Sequence, residues 1–515
     1  MVKTPFIETI NDVIKESVKN YGDREAVYDQ YERLTYIELW KQSMRLAEGL
    51  RKLGVKKGDR VAVCLPNWNE TVVVFFATAR LGAVLVPFNP TYRSNEIEYI
   101  LKNAEPEVLF ITERFSESME KSRALSLVKH VISVRFNDRD CIAIQELQMN
   151  EGKSSTETAV SPEDLFCILY TSGTTGLPKG VMISHGSVSK CSTAVVNEMR
   201  CNDDDVFIVP APLFHIFGIA CNLIAAVAAG ARMVLVEKYN PKLMLELIEQ
   251  ERVTVHQGVP TMFLKELEVP GFENYDLSSL RTGMVGAAPI SPEQMKKIRE
   301  KMDFHLCQSF GTTETSGGVT INGYDDDEAS ILKTLGKPFE GIKIKIVNEF
   351  KEELPAGSTG EIAVHSFGNM KGYYKLHEKT KEVLGEGGWY YTGDLGLMDE
   401  EGNLHYVGRE KEVIIRGGLN IYPKEIEALL YEHENISEAA VIGLPDEILG
   451  EVVCAVVQLH PGKAMTEQEV KDYVSAHLAI YKTPASVIYV EHIPMTSSGK
   501  IQKVKLKKQL IPKHG

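Results

Sequence analysis

No uninterrupted apolar run in this sequence reaches the roughly 20 residues that a membrane-spanning helix needs. The greasiest stretch, 219–231, is interrupted by Asn222 and reads as a buried helix. Cysteine is scarce. The eight thiols, Cys64, Cys141, Cys167, Cys191, Cys201, Cys221, Cys307 and Cys454, include no C-x-x-C pair, which excludes zinc-finger and dithiol redox motifs. Most lie in apolar surroundings, where a reduced thiol behaves as a small hydrophobe, and this suits a reducing compartment. Positive charge is in deficit: 57 Lys and Arg against 71 Asp and Glu give a formal net charge of -14, which argues against a nucleic-acid binder. The one basic run, 503–508, is short and reads as a solvated element end, with weak contact to an anionic membrane surface as the alternative. Residues 1–10 lack a charged segment followed by an apolar core and the last four are not a sorting signal, so a cytoplasmic location is expected. Short-period repeats and low-complexity tracts are also missing.

What is present is an ordinary globular balance, 43% hydrophobic and 25% charged, on a chain long enough for a large core. From Leu34 onward helices and strands alternate. Thr35-Tyr-Ile-Glu38 is a capping box opening a helix to Gly54, followed by a strand over 60–65, a helix over 71–80 and a strand over 83–86. Continuous apolar strands between helices indicate buried, largely parallel sheets, an α/β class. The polar stretch 145–162 reads as a surface connection, and after Val407 about a hundred residues carry their own strand pattern. The expected layout is a large N-terminal body, 1–408, of helix-covered, largely parallel sheets and a small, mobile α+β C-terminal domain, 409–515, with a hinge at 408–412.

The densest chemical signal is Tyr170-Thr-Ser-Gly-Thr-Thr-Gly-Leu-Pro-Lys-Gly180, directly after an apolar strand over 165–169. Amides freed by Gly173 and Gly176, with the hydroxyls of Thr171, Ser172, Thr174 and Thr175, suit phosphate oxygens, and Lys179 adds a point charge. Pro178 and Gly180 flank that lysine where a Walker A loop demands Gly and Ser or Thr, so this is a different phosphate loop.

With further motifs following in order, the chain resembles the superfamily of adenylate-forming enzymes along almost its whole length, and acyl-CoA synthetases in particular. The resemblance implies roles for other residues. Gln308-Ser-Phe-Gly-Thr-Thr-Glu314 looks like a core motif in which Ser309, Phe310, Gly311, Thr312 and Thr313 line the nucleotide, Phe310 stacking on adenine where tyrosine is commoner, and Glu314 reaches magnesium. Gly286, Ala287, Ala288 and Pro289 resemble the segment lining adenine. Asp394, in Tyr391-Thr-Gly-Asp394, would take the ribose hydroxyls, and Arg409 ribose or phosphate. Glu412 stands at the hinge, a place often held by aspartate, while Arg416, Gly417 and Gly418 resemble the part lining the pantetheine tunnel. Lys500, in Pro494-Met-Thr-Ser-Ser-Gly-Lys500, would enter the site for adenylation, bridging carboxylate and α-phosphate oxygens.

The acyl pocket is expected around Phe214, His215 and Gly218, with Gln257, Val259, Met284, Val285, Gly317 and Gly318 as further wall candidates. None of these segments contains an arginine to pair with a second carboxylate, so a medium or long aliphatic acid, or an aryl acid, fits best. The implied reaction consumes ATP with Mg2+, forms acyl-AMP and pyrophosphate, and passes the acyl group to coenzyme A. Lys500, Glu314, Thr175 and Lys179 would stabilise charge, and no enzyme nucleophile is needed. Alternatives are an enzyme loading a carrier-protein phosphopantetheine, a luciferase-type oxygenase and an inactive nucleotide-binding scaffold. The sequence leaves oligomeric state open.

Overall fold

The computed structural model describes residues 4–115, 125–149, 158–171, 178–495 and 501–510. Ser172, Gly173, Thr174, Thr175, Gly176 and Lys500 lie outside the described residues.

Two large sheets form the body. One has nine strands in the order Lys337–Pro338, Gly317–Ile321, His305–Thr312, Thr282–Val285, Val255–Gly258, Val206–Val209, Arg232–Leu235, Glu25–Tyr28, Arg33–Thr35. Its middle, from His305–Thr312 to Glu25–Tyr28, is wholly parallel, and antiparallel partners close both edges. The other has eight strands, running Gly372–Tyr373, Lys179–Ser184, Leu165–Thr171, Val84–Pro87, Arg60–Cys64, Val108–Ile111, His130–Ser133, Ile142–Ala143. It is parallel from Leu165–Thr171 outward, while Lys179–Ser184 folds back antiparallel on Leu165–Thr171. A four-stranded antiparallel sheet, from Lys343–Val347 to Leu404–Arg409, follows. A five-stranded sheet closes the chain, with Ile436–Asp446 and Gly450–Leu459 as its long antiparallel pair.

Local sequence accounts for many element ends. Thr35 caps the helix Tyr36–Lys52 reciprocally with Glu38, as the spacing predicts. The helix Asn69–Leu81 is buried nearly all round because sheets and helices enclose it, and it stops where Gly82 turns left-handed at φ 65°. One main core joins both large sheets. The buried clusters built from residues 414–510 contain no residue of the earlier sheets.

The helix expected over 219–231 differs in winding and position. It begins as a π-helix, Phe217–Ile224, before an α-helical segment, Ala225–Ala229. The wide turn lets the buried Asn222 donate from Nδ2 to the Phe217 carbonyl at 3.0 Å. It also leaves the Cys221 carbonyl to accept from Gln257 Nε2 at 2.6 Å. The basic run is corrected as well: it is the helix Lys503–Leu510, and its first lysine is only 16% exposed, paired with two carboxylates rather than solvated. Seven of the eight cysteines are buried, and none is bridged.

Candidate active site

The candidate residues gather beyond the carboxyl ends of neighbouring parallel strands, where open α/β sheets place their ligand crevices. Ala211 to His215 follow Val206–Val209, Val259 follows Val255–Gly258, Gly286 and Ala287 follow Thr282–Val285, and Thr313 and Glu314 follow His305–Thr312.

The residues on either side of the Gly- and Thr-rich segment expected to bind phosphate are fastened by strand pairing. Thr171 stands opposite Lys179 and Tyr170 opposite Gly180 in an antiparallel register. Lys179 carries its ammonium over the Tyr373 ring, 4.8 Å from the centroid. The same Tyr373 donates its hydroxyl to Glu314 Oε1 at 3.0 Å. Burial first, and then the Glu314 charge, push the Tyr373 phenol well above its ordinary pKa, so it remains a neutral donor. Tyr390 lies beside Tyr373 and Thr312, and burial followed by Glu314 raises it in the same way. The Glu314 carbonyl accepts from Met370 N at 2.8 Å, which fastens the turn carrying the carboxylate to the strand pair that carries Lys179.

Around this cluster the short motif residues are spent on backbone geometry. Ser309 Oγ donates to the Thr320 carbonyl at 2.7 Å. A Cβ on Gly311 would lie 1.9 Å from the Gly317 carbonyl oxygen, so only glycine allows the two strands to approach there. Gly286 N donates to the Gly258 carbonyl, and Ala287 holds a left-handed φ of 64°, costly for a residue with a Cβ. Ala288 is half-buried and Pro289 exposed at the edge of that turn.

Asp394 is buried and faces Arg409 in register across the antiparallel pair, with Arg409 Nε 3.3 Å from Oδ1. Tyr406 lies beside both, its ring 6.3 Å from that of Phe310 and 4.6 Å below the Lys424 ammonium. Lys424 also donates to the Tyr406 carbonyl at 3.1 Å, and burial lowers its pKa to about 8. At the expected hinge, Glu412 accepts from Lys503 at 2.8 Å. Gly417 and Gly418, both left-handed, make a two-residue hairpin turn. Arg416 donates to the Tyr481 carbonyl at 2.6 Å.

An apolar slot is lined by Ala211, Pro212, His215, Phe217, Gly258, Val259, Met262 and Ala287. Of the residues expected to form the acyl pocket, His215 and Val259 line it. His215 Nδ1 accepts from Phe217 N at 3.2 Å, so the neutral ring carries its proton on Nε2. Gly218 lies behind the wall, and Gln257, Met284 and Val285 are enclosed in the layers below. Gly317 and Gly318 pack beside Cys221 and Phe339, and Phe214 is half-buried outside the lining. Sequence reasoning missed Met262, Tyr373, Tyr390, Tyr406 and Lys424, none of which carries a spacing signal.

A family model described as AMP-binding enzyme matches residues 14–374, and another, AMP-binding enzyme C-terminal domain, matches 425–500. The chain belongs to the AMP-binding enzyme family. Among its relatives in this family is the medium-chain fatty-acid–CoA ligase of Escherichia coli, 33% identical over 98% of this chain and 90% of that protein. The mitochondrial medium-chain acyl-CoA ligase of Mus musculus is also 33% identical, over 98% of this chain and 87% of its own. Among solved structures, ATP-bound MatB from Rhodopseudomonas palustris superposes with a TM-score of 0.88 at 30% identity, over 97% of this chain and 99% of that one. The apo structure of the same protein, with the same identity and coverage, gives 0.78. Within the AMP-binding enzyme family the chain is of the acyl-CoA synthetase type. Among the described residues, no helix is long and apolar enough to cross a membrane.

Proposed function

We propose that this enzyme activates a medium-chain or longer aliphatic acid with ATP and transfers it to coenzyme A, with pyrophosphate and AMP as the other products. The observation that carries the choice of acid is the slot at the strand ends: its accessible lining is apolar, with no lysine or arginine among the residues that form it. An aryl acid is the second candidate. A carboxylate is a poor electrophile, so one of its oxygens attacks the α-phosphorus, pyrophosphate leaves, and the acyl carbon then carries AMP as a good leaving group. The thiol of coenzyme A adds to that carbon and AMP departs.

The residue roles follow from charge and placement. Lys179 and the loop beginning at Thr171 hold the phosphates, with Thr175 and Lys500 completing charge stabilisation. Asp394 accepts from ribose hydroxyls, Arg409 steadies the same nucleotide, and Phe310 offers adenine an aromatic face. His215 lines the slot proposed for the acyl chain. Glu314 fits a magnesium ion, because an oxygen donor beside a phosphate loop suits a hard cation that takes few protein ligands and keeps phosphate oxygens. Bound there, the ion would offset phosphate charge. Residues 409–515 form a small domain that turns about 408–412 between the two half-reactions, and the Gly417–Gly418 turn lines the way in for the thiol. The buried reduced thiols suit a cytoplasmic enzyme.

The test is AMP release dependent on coenzyme A, with ATP, magnesium and a panel of acetate, hexanoate, octanoate, palmitate, benzoate and coumarate, and pyrophosphate followed in parallel. AMP and acyl-CoA appearing together, best with hexanoate to palmitate, is the expected result. Pyrophosphate exchange without acyl-CoA would replace this reading with carrier-protein loading. Lys500→Ala should abolish adenylation while leaving the protein folded, and unchanged adenylation would remove that lysine from the mechanism.

A further inference from the structure

The basic run near the C-terminus contains one lysine that does not behave as surface charge. Lys503 Nζ stands 2.8 Å from Glu412 Oε2 and 2.8 Å from Glu427 Oε1, with its side chain only 16% exposed. Glu427 is itself fixed, its Oε1 accepting from Val441 N at 2.7 Å on the strand Ile436–Asp446 of the last sheet. Glu412 lies instead on the turn Glu410–Glu412, directly after the strand that carries Arg409. The ammonium therefore joins a carboxylate at the boundary to a carboxylate inside the terminal unit.

Its surroundings extend this pair into a line of alternating charge. Asp394 faces Arg409, Arg409 feels Glu412, Glu412 meets Lys503, and Lys503 meets Glu427, beside which Lys424 reaches back to the Tyr406 carbonyl. Just ahead of Lys503, Gln502 N donates to the Pro494 carbonyl at 2.8 Å and its Nε2 to the Met495 carbonyl at 3.0 Å. Behind it, Leu506 buries itself among Ile442, Cys454 and Val456. A partly enclosed ion pair of this kind contributes little net stability but fixes one arrangement against others, because removing one partner strands the remaining charge. Taken over the whole chain, the fold superposes better on ATP-bound MatB than on the apo structure of that protein, with TM-scores of 0.88 and 0.78.

We propose that Lys503 is a positioning residue, whose ammonium clamps the hinge carboxylate Glu412 to Glu427 and so holds the terminal unit in the arrangement used for adenylation rather than for thiol transfer. The proposal rests on the ligase reading above. Its test separates the half-reactions in the full-length enzyme: acid-dependent exchange of pyrophosphate into ATP, and transfer to coenzyme A from supplied acyl-AMP. Lys503→Met should lower exchange by about tenfold or more and leave transfer unchanged or faster, as expected when a charge-paired contact of one arrangement is lost. Glu412→Gln, which keeps shape and removes charge, should reproduce that split, and Lys503→Arg should restore part of the exchange. If Lys503→Met does not fold, Glu412→Gln carries the test alone. Equal loss of both half-reactions, or exchange no more affected than transfer, would overturn the proposal. A wild-type enzyme with neither half-reaction would instead overturn the ligase reading.

Discussion

The Tyr373 hydroxyl donates to Glu314 Oε1 at 3.0 Å across 59 residues of chain, while the face of the same ring lies under Lys179. One side chain thus orients both charged groups of the proposed phosphate and metal site. Tyr373→Phe separates the two contacts by keeping the ring and removing the donor. Adenylation should fall by about tenfold, the value of one hydrogen bond to a charged acceptor. The magnesium concentration needed for half-maximal rate should rise with it. Titrating magnesium in the pyrophosphate exchange assay checks this; a variant with reduced rate but an unmoved magnesium curve would mean that Glu314 does not hold the ion.

Met262 closes part of the apolar slot with a flexible thioether, and its backbone carbonyl is separately held by the Tyr239 hydroxyl at 2.8 Å. Met262→Ala should lengthen the slot without moving the backbone. Preference should shift towards acids longer by two or three methylenes, each extra buried methylene favouring the longer acid by about 0.8 kcal/mol. Values of kcat/KM across butyrate to palmitate measure the shift, and an unchanged ranking would place the acyl chain elsewhere.

Gly218 lies where a Cβ would sit 2.2 Å from the Pro212 carbonyl oxygen and 2.8 Å from that of Ala211, so the wall of the slot packs directly on this helix backbone. Gly218→Ala should therefore destabilise the body by about 1–3 kcal/mol through overpacking. A raised KM for the acid should accompany the lower thermal midpoint, because Ala211 and Pro212 line the slot.

Two histidines, His185 buried and His305 half-buried, set a pH dependence of stability. His185, against the Phe166 ring, and His305, stacked on Tyr324, are both lowered from 6.5 to about 4, chiefly by burial. Between those values the unfolded chain binds protons that the folded chain refuses, so their contribution to stability is full above pH 6.5 and is lost as pH falls towards 4. Urea unfolding at pH 7, 6 and 5 should show a progressive decline, on the order of 2 kcal/mol for His185 over the full window and less for His305, whose partial exposure screens the effect. His185→Leu should flatten the slope by about one proton.

Part of the fold, and the order of the candidate segments, is legible in the amino-acid sequence because those signals are local. The Thr35 and Glu38 capping box and the order of the motif segments depend on neighbours a few residues apart. The π-helix at Phe217–Ile224 is not legible there, since its winding is bound up with a hydrogen bond from Gln257, 36 residues away from its acceptor. Nor is Lys503, which looks like one lysine among several until Glu412, 91 residues earlier, is brought to it.

The α/β alternation and the kind of chemistry are written into the chain itself, because periodicity, caps and clustered hydroxyls, glycines and lysine act through short-range sterics and charge. Which tyrosine holds Glu314, which residues line the apolar slot and which lysine meets Glu412 are settled by the folded arrangement alone. Those encounters depend on strand register in separate sheets, and a one-residue slip in any of them would turn the same side chains to opposite faces.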